Sequence, residues 1–382
     1  MKKIKVMSVF GTRPEAIKMA PLVKELQACS EIDSICCLTG QHREMLDSVM
    51  KIFDLQSDYD LNIMEKKQTL STITTKTLLG LDHVIDEVKP DMILVHGDTS
   101  TAFSSALSAF YHQVPVGHVE AGLRTWDKYS PFPEEMNRTL ISDIADLHFS
   151  PTKANANNLA KESISGKVFI TGNTAIDAMR YTVQQDYLFQ TPVLNELDFE
   201  NKRVITVTCH RRENYGQPME DIMRAIATVV EMHEDVEVVY PVHLSPVVRE
   251  CAQQHLAGRA RIHLIDPIDV QEMHNLIARC YMVMTDSGGL QEEAPALGKP
   301  VLVMRKETER PEAIEAGTVR LAGVSYNNIV SMASDLLNDP KVYCSMAKAV
   351  NPYGDGNACS RIRQAILYHF GLSDTQPDNF MA

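Results

Sequence analysis

The sequence predicts an α/β protein with two Rossmann-like domains, each built on a doubly wound parallel sheet. Short apolar runs alternate with helical segments along the 382 residues. The runs are apolar almost throughout, which is typical of parallel strands that helices cover on both faces. A second series of alternating runs begins near residue 203, and two such series in one chain indicate two doubly wound domains.

The first series supplies the N-terminal domain. Its first strand leads into a helix that carries Pro14 near its first turn, where proline is well tolerated. We expect strands at residues 4–10, 34–38, 92–96, 115–119, 147–149 and 168–170, with helices at 14–27 and 99–111.

The second series supplies the C-terminal domain, and we place the joint near Gly172-Asn173. No repeat, low-complexity tract or long linker is found in the sequence. The polar tail after Ser373 is expected to be frayed. Strands of this series are expected at 204–208, 236–240, 261–265, 281–285 and 300–304.

Composition excludes several classes of function. The formal net charge of −13 argues against nucleic acid or an anionic membrane as the main partner. No apolar run reaches the roughly 18 residues of a membrane span. The eight cysteines lack C-x-x-C spacing and no histidine pair has zinc-site spacing, so we expect reduced thiols, a cytoplasmic protein and no metal.

Polar residues cluster where the predicted strands end, which is where open parallel sheets bind ligands. We expect strand ends of both series to face one cleft between the domains, with the active site in that cleft. The first series offers Thr12-Arg13, Asp98 and Glu120, and the second offers His210, His243, residues 286–289 and Arg310.

The segment Asp286-Ser287-Gly288-Gly289 follows an apolar strand and opens a helix. Free backbone N–H groups at such a helix start form an anion site suited to a pyrophosphate. Glu293 lies one turn further on, where a carboxylate can accept hydrogen bonds from ribose hydroxyls. An ordinary tight turn is the alternative interpretation. The segment is not G-x-G-x-x-G, so the dinucleotide fingerprint is absent.

Four carboxylates are candidates for acid/base chemistry: Asp98, Glu120, Glu134 and Glu135. Asp98 and Glu120 each follow an apolar strand, so we expect partial burial and perturbed pKa values. Asp98 could instead cap the next helix, and the Glu134 pair could merely complement a helix N-terminus.

Two histidines, His210 and His243, follow strands of the second series. His210 precedes two arginines, which suits a site for a phosphate leaving group. A purely structural role is the alternative for both.

A series of short motifs occurs in a fixed order along almost the whole chain. They are FGTRPEAIK (10–18), GQHR (40–43), HGDT (96–99), HVEAGLR (118–124), PEEMNR (133–138), HRREN (210–214), PVH (241–243), DSGGLQEEAPAL (286–297), ERPE (309–312) and NPYGDG (351–356). As an ordered set, they resemble the non-hydrolysing UDP-N-acetylglucosamine 2-epimerases.

The resemblance implies the two-domain fold of the GT-B glycosyltransferases, in which the final helix crosses back to the first domain. The domains would then be 1–172, completed by about 361–382, and 173–360. The family interconverts UDP-GlcNAc and UDP-ManNAc without a cofactor or an obligatory metal, and supplies ManNAc-derived sugars for surface polysaccharides. We also expect a homodimer.

The resemblance also implies roles for individual residues. Asp98, Glu120 and Glu134 would perform the acid/base chemistry, Arg13 and His210 would stabilise leaving UDP, and Lys18 would support the first domain's side of the site. UDP would be held by Arg13, His243, Ser287, Gly288, Gly289, Glu293 and Arg310.

Some family members bind a second UDP-GlcNAc as an activator, through a Gln-His-Arg-Gln motif and a nearby basic residue. This chain has Glu44 in place of the final glutamine, and Lys67 as the basic residue, so we expect weak activation. The rival functions are a glycosyltransferase that uses UDP-GlcNAc, a non-catalytic sensor, a hydrolysing epimerase, or an epimerase of a modified UDP-sugar.

Overall fold

A computed structural model describes residues 3–41, 43–65 and 68–382 of the chain. The chain forms two compact units. The first unit consists of Met1–Tyr181 and Tyr353–Met381, and the second of Thr182–Pro352. Each unit is built on a single parallel sheet, which confirms the predicted fold class.

The first unit has a seven-stranded sheet in the order β3-β2-β1-β4-β5-β6-β7. The order reverses between β1 and β4, and ligands bind at such a reversal in open α/β sheets. The strands are β1 (Ile4–Phe10), β2 (Ile32–Leu38), β3 (Tyr59–Asp60), β4 (Met92–His96), β5 (Val116–Val119), β6 (Leu147–Ser150) and β7 (Lys167–Ile170). The helices are α1 (Arg13–Gln27), α2 (Arg43–Ile52), α3 (Leu70–Val88), α4 (Ser100–Tyr111), α5 (Glu134–Ile144), α6 (Lys153–Glu162) and α7 (Thr174–Thr182).

The second unit has a six-stranded sheet in the order β10-β9-β8-β11-β12-β13, which reverses between β8 and β11. The strands are β8 (Arg203–Thr208), β9 (Val236–Pro241), β10 (Ile262–Ile265), β11 (Met282–Thr285), β12 (Val301–Val303) and β13 (Val319–Leu321). The helices are α8 (Pro192–Glu196), α9 (Gln217–Met232), α10 (Pro246–Leu256), α11 (Val270–Arg279), α12 (Leu290–Ala296), α13 (Pro311–Glu315), α14 (Tyr326–Asn338) and α15 (Pro340–Ala347). The last helix, α16 (Ala358–His369), belongs to the first unit.

Side chains of β1 alternate between two apolar layers, as successive strand residues must. Val6 and Phe10 pack in a core that includes Ile362 and Ile366 of α16. Met7 and its neighbours on the other face pack beneath α3, α4 and α5. Coverage on both faces explains why the strand is mostly apolar.

The tail after Ser373 is not frayed, so that expectation was wrong. Asn379 accepts a hydrogen bond from the Ile170 N–H, and the Phe380 N–H donates to the Ile170 carbonyl. The Phe380 side chain is buried. The tail therefore covers the edge of β7, and a polar composition did not reveal this role.

Among the described residues, no helix combines the length and apolar character needed to cross a bilayer. The activator prediction depends on Lys67, which lies outside the described residues, and on the side chain of Glu44, which is outside them too.

Candidate active site

The loop between β1 and α1 is fixed by Glu15. One carboxylate oxygen of Glu15 accepts the N–H groups of Gly11 (3.0 Å) and Thr12 (2.8 Å), and the other accepts the Thr99 hydroxyl (2.6 Å). Gly11 has no room for a side chain, because a methyl group there would lie 1.8 Å from the hydroxyl oxygen of a neighbouring threonine. This bracing sets Arg13 at the first position of α1. The half-buried Arg13 guanidinium has no hydrogen-bond or ion-pair partner among the described residues.

Asp98 follows β4 and is held by the start of α5. Its Oδ2 atom accepts hydrogen bonds from Nε (2.8 Å) and Nη2 (2.6 Å) of Arg138, and its carbonyl accepts the side-chain amide of Asn137 (2.8 Å). Thr99 caps α4 by accepting the Ala102 N–H, so the alternative of Asp98 as a cap was wrong. The Asp98 side chain keeps 27% of its surface exposed, which leaves the carboxylate accessible to a ligand.

Glu120 follows β5, the strand hydrogen-bonded to β4. Its Oε2 atom contacts the Lys18 ammonium group, the His96 ring (3.6 Å) and the side-chain amide of Asn173 (3.2 Å). Burial raises the pKa of Glu120, but Lys18 and His96 outweigh it and hold this pKa well below the usual range. The Glu120 backbone has a φ of 62°, a left-handed conformation that is unusual outside glycine and common at functional sites. Glu120 is therefore an anion at neutral pH, in the form that a base requires.

The two glutamates at the start of α5 have different surroundings. Glu135 is buried and accepts the N–H groups of Thr125 (3.0 Å) and Trp126 (2.8 Å), together with Nη1 of Arg138 (2.9 Å). Glu134 is half-buried, and its side chain has no hydrogen bond or ion pair within the described residues. Glu135 therefore holds the preceding loop, whereas Glu134 is available to a ligand.

In the second unit, the fully buried Asp286 organises the segment after β8. Its Oδ2 atom accepts the N–H groups of His210 and Arg211, both at 2.8 Å, and its Oδ1 atom is 3.3 Å from Nδ1 of His210. The His210 ring stacks on His243 with centroids 5.3 Å apart. Burial lowers the pKa of His210, and His243 and Arg211 lower it further, although Asp286 acts in the opposite direction.

Two guanidinium groups meet beside Gly288. A methyl group at this glycine would lie 3.6 Å from Nη2 of Arg310 and 3.7 Å from Nη2 of Arg211. The buried Glu292 accepts a hydrogen bond from Nε of Arg310. Nε of Arg211 is buried and has no hydrogen-bond partner in the described part of the chain. Two cations beside this glycine, one of them paired with Glu292, form a local cationic site in an acidic protein, as an anionic ligand requires.

The remaining predicted residues lie in this loop, in α12 and after β9. The Ser287 N–H donates to the Thr285 hydroxyl (2.8 Å). The expectation that this N–H is free for an anion was therefore wrong. Gly289 is exposed and caps α12, and Oε1 of Glu293 would lie 3.4 Å from a methyl group on it. His243 is exposed, and its Nδ1 atom accepts the Ser245 N–H (3.1 Å).

Each unit therefore brings together a separate set of predicted residues. β1, β4 and β5 are neighbours in the first sheet, and β9, β8, β11 and β12 are neighbours in the second. Among the described residues, no group of three or more His, Cys, Asp or Glu side chains is placed to hold a metal ion. The sequence did not predict a holding role for the residues that keep these groups in place: Glu15, Asn137, Arg138, Asn173, Asp286 and Glu292. Arg211 was not in the predicted UDP-binding set, although the His-Arg-Arg motif pointed to it.

A protein-family model described as UDP-N-acetylglucosamine 2-epimerase matches residues 24–367. This chain belongs to the UDP-N-acetylglucosamine 2-epimerase family. The match confirms the resemblance to UDP-N-acetylglucosamine 2-epimerases that the ordered motifs indicated, and the non-hydrolysing type stays a prediction.

Individual members of the family are similar over nearly their whole length. The UDP-N-acetylglucosamine 2-epimerase of Bacillus subtilis is 55% identical over 381 residues, which are 100% of this chain and 99% of the relative. That of Escherichia coli K12 is 50% identical over 370 residues, 95% of this chain and 98% of the relative. The crystal structure of UDP-GlcNAc 2-epimerase from Neisseria meningitidis bound to UDP-GlcNAc has a TM-score of 0.83 at 46% identity. That comparison covers 95% of this chain and 100% of the other.

Proposed function

We propose that this protein reversibly inverts C2 of UDP-N-acetylglucosamine to give UDP-N-acetylmannosamine, without net hydrolysis. One observation carries the proposal. Asp98 and Glu120 follow neighbouring strands, and each carboxylate is paired with a cation. Proton transfer at both faces of one carbon needs two acid/base groups, or one group and an intermediate that is repositioned. Family membership and the Neisseria relative bound to UDP-GlcNAc support this substrate.

The chemistry follows from the weak acidity of C2–H, which is not next to a carbonyl group. The bond between C1 and the UDP oxygen breaks first, and positive charge develops at C1. This charge acidifies C2–H, and a carboxylate removes the proton to leave 2-acetamidoglucal and UDP. Protonation of C2 from the opposite face, with return of the UDP oxygen to C1, gives the epimer. No electron acceptor enters this balance, so no cofactor is needed.

We assign the proton transfers at C2 to Asp98, Glu120 and Glu134. Lys18 and Arg138 hold two of these carboxylates in place, and Glu134 has no competing partner within the described residues. Arg13 and His210 stabilise the charge that develops on leaving UDP. Preorganised donors at a leaving group usually contribute most of the rate enhancement in such catalysis.

We assign UDP binding to the glycine loop of the second unit and the groups around it. Arg310 and Arg211 contact the diphosphate beside Gly288, and Glu293 accepts hydrogen bonds from the ribose hydroxyls. His243, Ser287 and Gly289 complete the binding set. We further expect the protein to be a cytoplasmic homodimer.

The test is incubation of the protein with UDP-GlcNAc alone in deuterated water, followed by NMR. We expect UDP-ManNAc, deuterium at C2 of both sugars, and no accumulation of free ManNAc. Release of ManNAc and UDP would indicate a hydrolysing epimerase. Binding without turnover would leave a sensor, or a glycosyltransferase that lacks its acceptor.

A second measurement tests cleavage at C1. In UDP-GlcNAc labelled with ¹⁸O at the bridging oxygen, the label should scramble into the non-bridging β-phosphate positions during turnover. Epimerisation without scrambling, in protein that contains stoichiometric NAD, would replace elimination by an oxidation mechanism.

A further inference from the structure

One buried histidine of the second unit has no role in the proposed reaction. His274 lies on α11 and its side chain is 1% exposed. Its Nδ1 atom is 2.7 Å from the Thr182 hydroxyl, and its Nε2 atom is 3.5 Å from Oε2 of Glu293. Nε2 has no hydrogen-bond partner in the part of the chain that is described. Since buried polar atoms are nearly always hydrogen-bonded, this nitrogen needs an explanation.

The neighbours of the ring determine which nitrogen carries the proton in the neutral form. A neutral imidazole has one donor and one acceptor. A lone pair on Nε2 would face a carboxylate oxygen and be repelled, so the hydrogen lies on Nε2. Nδ1 then accepts a hydrogen bond from the Thr182 hydroxyl, and this buried threonine fixes the tautomer.

The two oxygens of Glu293 consequently have different environments. Oε2 faces the buried His274, whereas Oε1 lies beside the exposed Gly289. The contact between Nε2 and Oε2 is slightly longer than a normal hydrogen bond. A small rotation of the carboxylate when a ligand reaches Oε1 would shorten this contact into a hydrogen bond, so ligand binding and the inner contact strengthen each other.

We propose that Thr182 and His274 are positioning residues that orient Glu293 towards the ribose of the bound nucleotide, and thereby set its preference for ribose over 2′-deoxyribose. The inference rests on the proposed binding of UDP through Glu293. Thr182 and His274 do not touch the nucleotide themselves. They act through one carboxylate, so their loss should affect hydroxyl recognition and leave the contribution of the phosphates unchanged.

The experiment compares UDP and 2′-deoxy-UDP binding by calorimetry. The wild-type protein should prefer UDP by about tenfold, the worth of one good hydrogen bond. Thr182→Val keeps the shape of the side chain and removes its hydroxyl, so UDP affinity should fall about three- to tenfold. The affinity for 2′-deoxy-UDP should fall less, because this nucleotide lacks one of the hydroxyls that Glu293 would bind. Thr182→Ser is the matched control, because it retains the hydroxyl and should retain the preference.

A second pair of variants keeps the test decisive if Thr182→Val does not fold. His274→Phe should abolish the preference, whereas His274→Gln keeps an N–H donor near the position of Nε2 and should restore part of it. Equal losses for both nucleotides, or no loss for either, would overturn the inference. Turnover of UDP-GlcNAc by the wild-type protein is measured in parallel. Its absence would defeat the proposed function, while the nucleotide preference would still report on His274.

Discussion

The strand ends of the two units carry different candidate groups. In the first unit, the acid/base candidates are carboxylates, two of which are paired with cations from other elements, and Arg13 is a cation with no partner among the described residues. Lys18 of α1 pairs with Glu120 after β5, and Arg138 of α5 pairs with Asp98 after β4. In the proposed function, these two paired carboxylates are suited to accepting and returning protons.

In the second unit, the cations proposed to bind phosphate are half-buried and are held by buried carboxylates, while Glu293 is a half-buried carboxylate proposed to bind the ribose. Asp286 fixes the backbone of Arg211, and Glu292 fixes the guanidinium of Arg310. Arg138 and Glu292 are each the more buried member of their pair, whereas Lys18 and Glu120 are buried to a similar extent. Burial alone therefore does not indicate which member of a pair would contact a ligand.

The largest expected effect is on proton transfer. Asp98→Asn, Glu120→Gln and Glu134→Gln should each lower turnover by about 10²–10⁴, the usual contribution of a general acid or base. UDP affinity, measured by calorimetry, should change little. Asp143→Asn is the control, because it removes an exposed carboxylate from the same helix as Glu134. Any of the three variants that turns over within a few-fold of wild type leaves the catalytic set.

The next largest effect is expected on the affinity for the diphosphate of UDP. Arg310→Ala should weaken UDP binding by roughly 2–5 kcal/mol, because it removes a phosphate partner and breaks the ion pair with the buried Glu292. Arg310→Lys should recover only part of the affinity, since an ammonium group lacks the guanidinium fork. Arg259→Ala is the control, because Arg259 pairs with Glu231 at an exposed position. Unchanged calorimetric affinity in Arg310→Ala would place the diphosphate elsewhere.

A smaller effect is expected from loss of the arginine that orients Asp98 but does not itself transfer a proton. Arg138 binds Asp98 and Glu135 with different nitrogens, and lysine cannot span both. Arg138→Lys should therefore lower kcat by about tenfold to about hundredfold, the range for a misplaced catalytic group. UDP affinity should stay the same. A kcat within twofold of wild type would show that Asp98 does not depend on this pairing.

The sequence predicted most strands because buried parallel strands are continuously apolar, and β1 and β4 have the predicted limits. It did not predict β3 and β13, which have two and three residues and carry no periodicity. Once the strands were predicted, the positions of the candidate residues at the strand ends could be predicted too.

The residues that hold these candidate side chains in place could not be predicted from the sequence, because each pair joins distant parts of the chain. Arg138 is 40 residues from Asp98, and the Asp286 carboxylate is 76 residues from His210. Such pairs depend on strand order, which a single sequence does not encode. Glu15 is different, since its position three residues after Thr12 is the spacing of a capping box.

The smallest expected effect is a pH dependence of UDP binding through His210. The pKa of this histidine is lowered in the free protein, chiefly by burial, so the ring is mostly neutral at neutral pH. A bound diphosphate would raise that pKa, and a group whose pKa rises on binding adds affinity as the pH falls. UDP itself loses charge as the pH falls through about 6, which acts in the opposite direction.

The His210→Gln variant removes only the titration of the ring, so the ratio of wild-type to variant UDP affinity isolates the contribution of His210. This ratio should grow a few-fold between about pH 8 and about pH 6, with proton uptake visible by calorimetry in buffers of different ionisation enthalpy. A constant ratio would mean that His210 contacts UDP without titrating, or lies away from it, and the positive site would then consist of the arginines alone.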